Sequence, residues 1–431
     1  MSTSTQSSIL YAYYGDDFTG STDVLEALAL HGMPAVLFTN LPSEADLAAF
    51  PHCRAIGIAG ESRSHSPRWM DRHLPEVFRR MRSLGAAINH YKVCSTFDSS
   101  PRVGSIGRAI ELGRKAFQAK FVPVVVGTPH LGRAVAFGNL FAAASNAMHR
   151  IDRHPTMRRH PVTPMYEADL RLHLAQQTSL AMGLVDLRAF EQGTAARQLQ
   201  TEIAAGAKAV IFDGIHDAML KQTAAILCNL ATDRQILAVG SSGFTYGLLR
   251  HWQRSGRLAH QARPAAPRPV DQILVLSGSC SPVTAVQIRH ARAQGFAAWR
   301  LGDPDSWPLR KRQALKALAA GRSVILYTAM GPLSAKQQSG KEWTAWLGKL
   351  LREIVSLCGV RRVVIAGGDT ATHAVQQLGL RALTFVAPLT PGAPLCRGYA
   401  PESPLNGLEL VLKGGQIGPE DFFSNVLHDS C

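Results

Sequence analysis

The sequence is short of acid: 31 Asp and Glu stand against 46 Lys and Arg, a formal charge of +15. Such an excess attracts anions, yet the positive residues are dispersed. Their densest cluster, "MHRIDRHPTMRRHP" at 148–161, has no aromatic residues between its charges on which bases would stack. A basic surface drawing in small anionic molecules suits this distribution better than a nucleic-acid groove. Long apolar runs are missing as well, since none approaches the roughly 18 residues that span a bilayer. The opening "MSTSTQSS" has neither the basic region nor the apolar stretch of a secretory signal, and reads as a loose tail on a cytoplasmic protein. The seven cysteines (Cys53, Cys94, Cys228, Cys280, Cys358, Cys396 and Cys431) are odd in number and include no C-x-x-C pair. That speaks against a disulfide framework and a zinc site, and leaves reduced, mostly buried thiols as the expectation.

Several catalytic signatures are also absent. No G-x-x-x-x-G-K-[ST] occurs, and no G-x-G-x-x-G follows a strand and opens a helix, so neither a P-loop nor a dinucleotide fingerprint is present. The 16 histidines form no H-x-H or E-x-x-H grouping; His130, His154, His160 and His373 read as surface or packing residues. A decarboxylase or aldolase would need such a metal cluster, or a Schiff-base lysine in an apolar pocket.

What is present is an α/β pattern. The 431 residues exceed one ordinary core, and the balance of 46% hydrophobic and 18% charged residues is that of a globular protein. Apolar runs at 9–14, 35–38, 54–59, 121–126, 208–213 and 235–240 alternate with helical stretches, the first near 21–31. A second series runs through 272–278, 323–329, 361–367, 382–387 and 408–414. No repeat of 20–50 residues links them. Between the series, "GRLAHQARPAAPRPVD" (256–271) has no strand or helix period and reads as a linker. We expect two domains, 1–260 and 272–431, joined by a linker at 261–271. Each is a mainly parallel sheet flanked by helices, with a cleft between them.

The later series carries three glycine-bearing loops at strand ends. "VVIAGGDT" ends an apolar run in Gly367, Gly368, Asp369 and Thr370 and passes into a helical pattern. A helix start there offers unpartnered N–H groups, and glycines let a phosphate come close to the backbone. Asp369 or Thr370 would cap that helix, or Asp369 would hold magnesium; a tight turn with an N-cap explains the same letters. "ILVLSGSCSP" places Ser277, Gly278 and Ser279 after a strand, with Ser281 as N-cap and Pro282 opening a helix. "LVLKGGQIG" ends a strand in Lys413, Gly414 and Gly415. Three such loops in one domain point to one nucleotide or phosphate pocket.

The earlier series opens with "YAYYGDDFTGSTDVLEAL", a strand, the adjacent carboxylates Asp16 and Asp17, and a helix start near Gly20. Such a pair binds Mg²⁺, accepts a proton from a hydroxyl, or binds sugar hydroxyls; a solvated acidic turn is the plain alternative. Arg63 and Lys92 follow strand-like runs, where a carboxylate would meet a bidentate guanidinium or a point charge; ordinary surface charges would look the same.

Taken together, "GDDFTGSTD", "YKVCSTFDSSP" (91–101), "HPVTPM" (160–165), "LSGSCS", "GGDT" and "KGGQIG" resemble the four-carbon acid sugar kinase family in the family's order, from residue 9 to about 425. The resemblance implies an ATP-dependent kinase of threonate, erythronate, 3-oxo-tetronate and related acids. Its N-terminal domain would bind the acid sugar and its C-terminal domain ATP. It implies roles for Asp16 and Asp17 in catalysis, and for Arg63, Lys92, Ser95, Thr96, Gly132 and Arg133 in holding substrate. Ser277, Gly278, Ser279, Gly367, Gly368, Asp369, Thr370, Lys413, Gly414 and Gly415 would hold the nucleotide. Asp369 stands where Glu is common, Ala134 where a hydroxyl is frequent, and "APLTPGAPLCRG" precedes the last loop. "YKVCSTFDSSP" looks nearest the 3-oxo-tetronate branch, and the departures leave room for a branched acid such as 3-oxo-isoapionate.

The reaction so implied transfers the γ-phosphoryl of ATP, with Mg²⁺, to a terminal hydroxyl, and domain closure would exclude water. The expected partners are a sugar acid and ATP, with no nucleic acid and no membrane, in a homodimer. A non-catalytic sugar-acid sensor, with the glycine loops as turns only, is the competing reading.

Overall fold

The computed structural model describes residues 9–144, 147–160, 162–259, 264, 266–331 and 341–428. Within that span the side chains of Asp369 and of residues 341–345 are not described. The tail expected at 1–8, Pro161 of the "HPVTPM" motif, Cys431, and residues 260–263 and 265 of the linker region lie outside the described residues.

Eighteen strands are named in chain order. They are β1 (Tyr11–Gly15), β2 (Ala35–Phe38), β3 (Ala55–Ala59), β4 (Ile88–Lys92), β5 (Val122–Val125), β6 (Arg133–Ala136), β7 (Asn139–Ala144), β8 (Ala147–Arg150) and β9 (Met182–Val185). Then come β10 (Ala209–Phe212), β11 (Ile236–Gly240), β12 (Leu274–Ser277), β13 (Ala297–Arg300), β14 (Val324–Tyr327), β15 (Arg362–Ala366), β16 (Ala382–Thr390), β17 (Ala393–Tyr399) and β18 (Glu409–Lys413). The chain divides into two compact units. The first takes the chain up to Asp16, Ala27–Ala35, and Ser43 onward to the linker. The second takes Asp17–Glu26, Val36–Pro42 and the chain beyond the linker. No composition shift marks the two early segments that group with the later half.

In the first unit the strands run β3-β1-β4-β11-β5-β10-β9, every described pair parallel. Parallel strands covered on both faces read as continuous apolar runs rather than alternating ones. "VPVV" and "AVIF" are of this kind and are buried throughout. The covering helices form by ordinary signals. Pro67–Ser83 starts with Ser66 accepting the Trp69 N–H and Pro67 in its first turn. Its buried Met70, Leu74, Val77, Phe78 and Met81 recur at helical spacing. A separate antiparallel sheet, β6-β7-β8, lies outside the sequence-based expectation. Its first turn has positive φ at both Phe137 and Gly138, as a two-residue hairpin requires. The buried Asp213 carboxylate accepts both of their N–H groups, at 2.6 and 2.9 Å.

The second unit runs β13-β14-β12-β15-β18-β17-β16, with β2 added at the β16 edge. The first five strands are parallel, and the last three pair antiparallel. Its core gathers Val275, Ile288, Ile325, Val364, Leu395, Val411, Phe422 and Phe423. A buried charge crosses this sheet: the Arg362 guanidinium donates to Glu409 Oε2 and to the carbonyls of Val426 and Arg268. The expectation of mostly buried thiols needs correction. Among the described residues only Cys396 is buried; Cys280 is exposed, on a loop past a strand end, and the other four are half-buried.

Candidate functional site

Topology decides where ligands gather in such sheets: beyond the carboxyl ends, where successive connections leave in opposite directions. In the second unit the chain leaves β12 for β13 on one side and leaves β15 for β16–β18 on the other. β12, β15 and β18 are hydrogen-bonded neighbours, with Ser277, Ala366 and Lys413 in register. Strands about 4.8 Å apart therefore deliver the three glycine loops to one place.

The loops touch. A methyl group at Gly278 would lie 2.0 Å from Thr370 Oγ1, and one at Gly415 would lie 2.8 Å from Ser279 Oγ. Gly367, at φ 115°, sits with its Cβ direction 3.2 Å from the Ser279 N–H nitrogen. Side chains at these positions would force the loops apart, so the glycines are a packing requirement here. Gly367 is also the N-cap of the Gly368–Leu378 helix, and no side chain among the described residues caps that terminus. First-turn amides at such a terminus suit an anion or water. Ser277 Oγ is buried and has no hydrogen-bond partner among the described residues. The cradle fits a polyanion.

Lys413 behaves differently from a surface phosphate ligand. Its ammonium is fully buried and donates to Gly414 O at 2.9 Å and Thr284 Oγ1 at 3.2 Å, over the Phe422 ring. Burial lowers it to about 7.

Asp17 belongs to this same unit. Its Oδ1 accepts the Gly20 N–H at 2.8 Å and its Oδ2 the Thr19 hydroxyl at 2.6 Å. Oδ2 lies 3.6 Å from where a Gly368 methyl would stand. Asp17 and Gly368 are therefore side by side. Among the described residues no group of three or more His, Cys, Asp and Glu forms a metal cluster. Magnesium in phosphoryl-transfer sites often takes one or two carboxylates and completes its shell with phosphates and water, and Asp17 fits that pattern.

In the first unit the direction change falls between β1, which leads to β3, and β4, which leads to β5. Gly15 and Lys92 are register partners, and the Asp16 N–H donates to Lys92 O. Asp16 is gripped by Arg63, through Nε at 3.1 Å and NH2 at 2.7 Å. Adjacent carboxylates thus have separate employment: Asp16 in a bidentate ion pair, Asp17 at a helix start. Ser95 is half-buried beside Thr96, whose hydroxyl donates to Asp98 Oδ1 at 2.5 Å. Gly132 takes the left-handed conformation its position demands, at φ 68°. Arg133 follows it and donates to Leu131 O. It follows β5, which lies two places from β4 in the sheet.

Sequence reasoning passed over Asp98, although it stood inside a quoted motif. Its carboxylate is buried, and the Thr163 hydroxyl lies 3.2 Å from its Oδ2. Burial pushes its pKa up, but Arg63, His160 and the Thr96 hydroxyl more than offset this and hold it below the ordinary range. His160, read above as surface or packing, is half-buried, with Nδ1 accepting the Thr163 N–H. Buried Ser99 and His173 and half-buried Gln177 form a linked set next to this loop. Between them Phe97 holds φ 55°, strained for an aromatic residue and tolerated where the surroundings fix it.

Comparison with known proteins gives a consistent answer. Residues 11–248 match the family model described as a sugar-binding N-terminal domain, and residues 274–423 that of a nucleotide-binding C-terminal domain. A Paraburkholderia graminis protein named 3-oxo-isoapionate kinase is 42% identical, over 97% of this chain and 94% of its own. A Pseudomonas fluorescens protein named 3-oxo-tetronate kinase is 32% identical, over 96% and 95%. A solved Salmonella typhimurium structure superposes with a TM-score of 0.78 at 24% identity, covering 96% of this chain and 98% of the other. One from Haemophilus influenzae gives 0.69 at 23%, with the same coverage. At that identity the structural likeness bears on the fold alone.

Proposed function

The chain belongs to the four-carbon acid sugar kinase family, and from that premise we propose that it transfers the γ-phosphoryl group of ATP to a terminal hydroxyl of a small 3-oxo sugar acid. It is an enzyme rather than a sensor: relatives matching nearly end to end are named as kinases. The observation that carries the site is the convergence of three glycine loops on neighbouring parallel strands, with the Asp17 carboxylate beside one of them.

Phosphoryl transfer asks little covalent work of a protein and much positioning. The Gly278, Gly368 and Gly415 loops hold the triphosphate through backbone N–H groups, and Thr370 and Ser279 line the same cradle. Magnesium, when bound beside Asp17, would supply neutralisation of the phosphate charge. Asp17 orients the acceptor hydroxyl and takes its proton as the new oxygen–phosphorus bond forms and the bond to ADP breaks. Asp16 is less suited to that task, because it is held in a bidentate ion pair with Arg63. The substrate's carboxylate falls to Arg63 and Lys92, with Ser95, Thr96, Gly132 and Arg133 shaping the remainder. The first unit then holds the acid, and the second the nucleotide. Dependence on ATP supports a cytoplasmic reaction.

The relative at 42% makes 3-oxo-isoapionate the first acceptor to try, ahead of 3-oxo-tetronate at 32%. Coupled ADP release with each of these, and with threonate and erythronate, in the presence of Mg²⁺, tests the reading. Turnover is expected with a 3-oxo acid. ADP formed with none of the four would overturn the kinase assignment, and preference for threonate or erythronate would overturn the 3-oxo substrate.

A further inference from the structure

We propose that Thr284, Gln287 and Lys413 form a buried clamp that turns the amide N–H groups of Gly415 and Gln416 toward the nucleotide phosphates, making Thr284 and Gln287 positioning residues for phosphoryl donor binding. The inference rests on the second unit being the nucleotide site, and goes beyond it to residues that no loop motif contains.

Thr284 and Gln287 lie three apart, on one face of the Pro282–Ala293 helix. Both are fully buried, which is unusual for polar side chains unless something engages them. What engages them is the loop leaving β18. The Thr284 hydroxyl donates to Gly415 O at 2.9 Å. Gln287 Nε2 faces three carbonyls in succession, Ile417 at 3.0 Å, Gly418 at 3.0 Å and Pro419 at 2.8 Å. An amide nitrogen has two hydrogens, so one of them is shared. Lys413 closes the set, donating to Gly414 O and to Thr284 Oγ1. The ammonium thus orients the hydroxyl, leaving its single proton for Gly415 O.

Five carbonyls between 414 and 419 are therefore drawn inward. A trans peptide places C=O and the following N–H on opposite sides. Drawing in the carbonyls of Gly414 and Gly415 directs the N–H groups of Gly415 and Gln416 the other way. Among the described residues neither donates to a backbone carbonyl. Successive amides presented this way form an anion-binding concavity. Ser279 Oγ, 2.8 Å from the Gly415 Cβ position, and Ser281, 3.1 Å away, stand on the same side of the cradle.

The test is calorimetric titration of the full-length protein with a non-hydrolysable ATP analogue, plus Mg²⁺, alongside steady-state kinetics. Thr284→Val removes the hydroxyl at constant shape, and Gln287→Met removes the amide donors at similar length. Each is expected to weaken analogue binding roughly tenfold and raise the KM for ATP in step, with the KM for the sugar acid within about twofold. Thr284→Ser, which keeps the hydroxyl, restores binding close to that of the unaltered protein. Should both Val and Met variants bind the analogue as tightly as the parent, the clamp is wrong while the nucleotide site stands. Equal rises in both KM values, or loss of binding in Thr284→Ser as well, would also overturn it by showing general loosening. If the parent binds no nucleotide, the site reading itself fails and takes the clamp with it.

Discussion

Asp17 accepts a backbone N–H at one oxygen and a threonine hydroxyl at the other, and that arrangement permits a clean substitution. Asparagine keeps an oxygen for Gly20 N–H, so the start of the helix survives, while charge and basicity are lost. Asp17→Asn is expected to lower kcat by about 100-fold or more with the ATP dissociation constant changed only a few-fold. Measured turnover within tenfold of the parent would make Asp17 a helix cap and nothing more. Arg63→Lys probes the other half of the acidic bend. Lysine keeps the charge but not the fork that holds both Asp16 oxygens. The expected result is a KM for the sugar acid raised roughly tenfold with the KM for ATP unmoved. The opposite pattern would remove Arg63 from the substrate side.

The loops that build the cradle make contrasting demands at the scale of strand and turn. At Gly278 an added methyl would fall 2.0 Å from Thr370 Oγ1, on a β-branched side chain with little freedom to move. At Gly368 the same methyl would find ordinary contact, 3.6 Å from Asp17 and 4.0 Å from Thr19. Gly278→Ala should therefore cost about 1–3 kcal/mol of stability, as overpacking does. Gly368→Ala should leave the Tm unchanged or slightly raised, since alanine suits a helix start better than glycine. Its methyl occupies the space beside Asp17, so turnover should fall nonetheless. Thermal melts and ADP release on the two variants separate the effects. A destabilised Gly368→Ala, or one fully active, would contradict the geometry.

The same elements show what the letters disclosed. Parallel strands buried on both faces are apolar runs, so "RRVVIAG" and "QILAVG" locate β15 and β11 within a residue or two. The glycine loops were legible because a strand, two glycines and a helix start leave few conformations open. β6 to β8 escaped notice because they are partly exposed antiparallel strands rather than buried apolar runs, and the turn at Phe137 depends on Asp213, about 75 residues away. Asp98, Thr284 and Gln287 escaped for a related reason. Their importance lies in partners distant along the chain, which spacing does not encode. Asp16 and Asp17 were visible as a pair, but their division of labour follows from Arg63 and Gly368, and only the folded chain supplies that.

Across the whole molecule, buried titratable groups set how stability varies with pH. His90 lies in the first unit, its Nδ1 2.6 Å from the Tyr11 hydroxyl and its Nε2 3.0 Å from Gly240 O. Burial is the main cause that lowers it to about 3 from an ordinary 6.5. Between those values the unfolded chain binds a proton that the folded one refuses, so stability is lost as pH falls from 6.5 toward 3. Glu26, in the second unit, works in the opposite sense. Burial raises it to about 8 from 4.5, against the Gly392 N–H bond at 2.8 Å and with Asp23 adding to the rise. The folded chain then holds a proton that the unfolded chain has released, and stability falls as pH rises from 4.5 to 8. Glu26→Gln keeps an oxygen for Gly392 N–H and cannot ionise. Its Tm should match the parent near pH 5 and exceed it at pH 8.5, by roughly 1–3 °C for each kcal/mol recovered. His90→Gln should correspondingly flatten the acid limb between pH 6.5 and 4 without touching the alkaline one. Melting curves of the full chain across pH 4–9 decide both. An alkaline limb equally steep in Glu26→Gln would mean that the carboxyl is ionised in the folded protein, and that the hairpin turn at Gly392 is held by a charge rather than by a neutral acid.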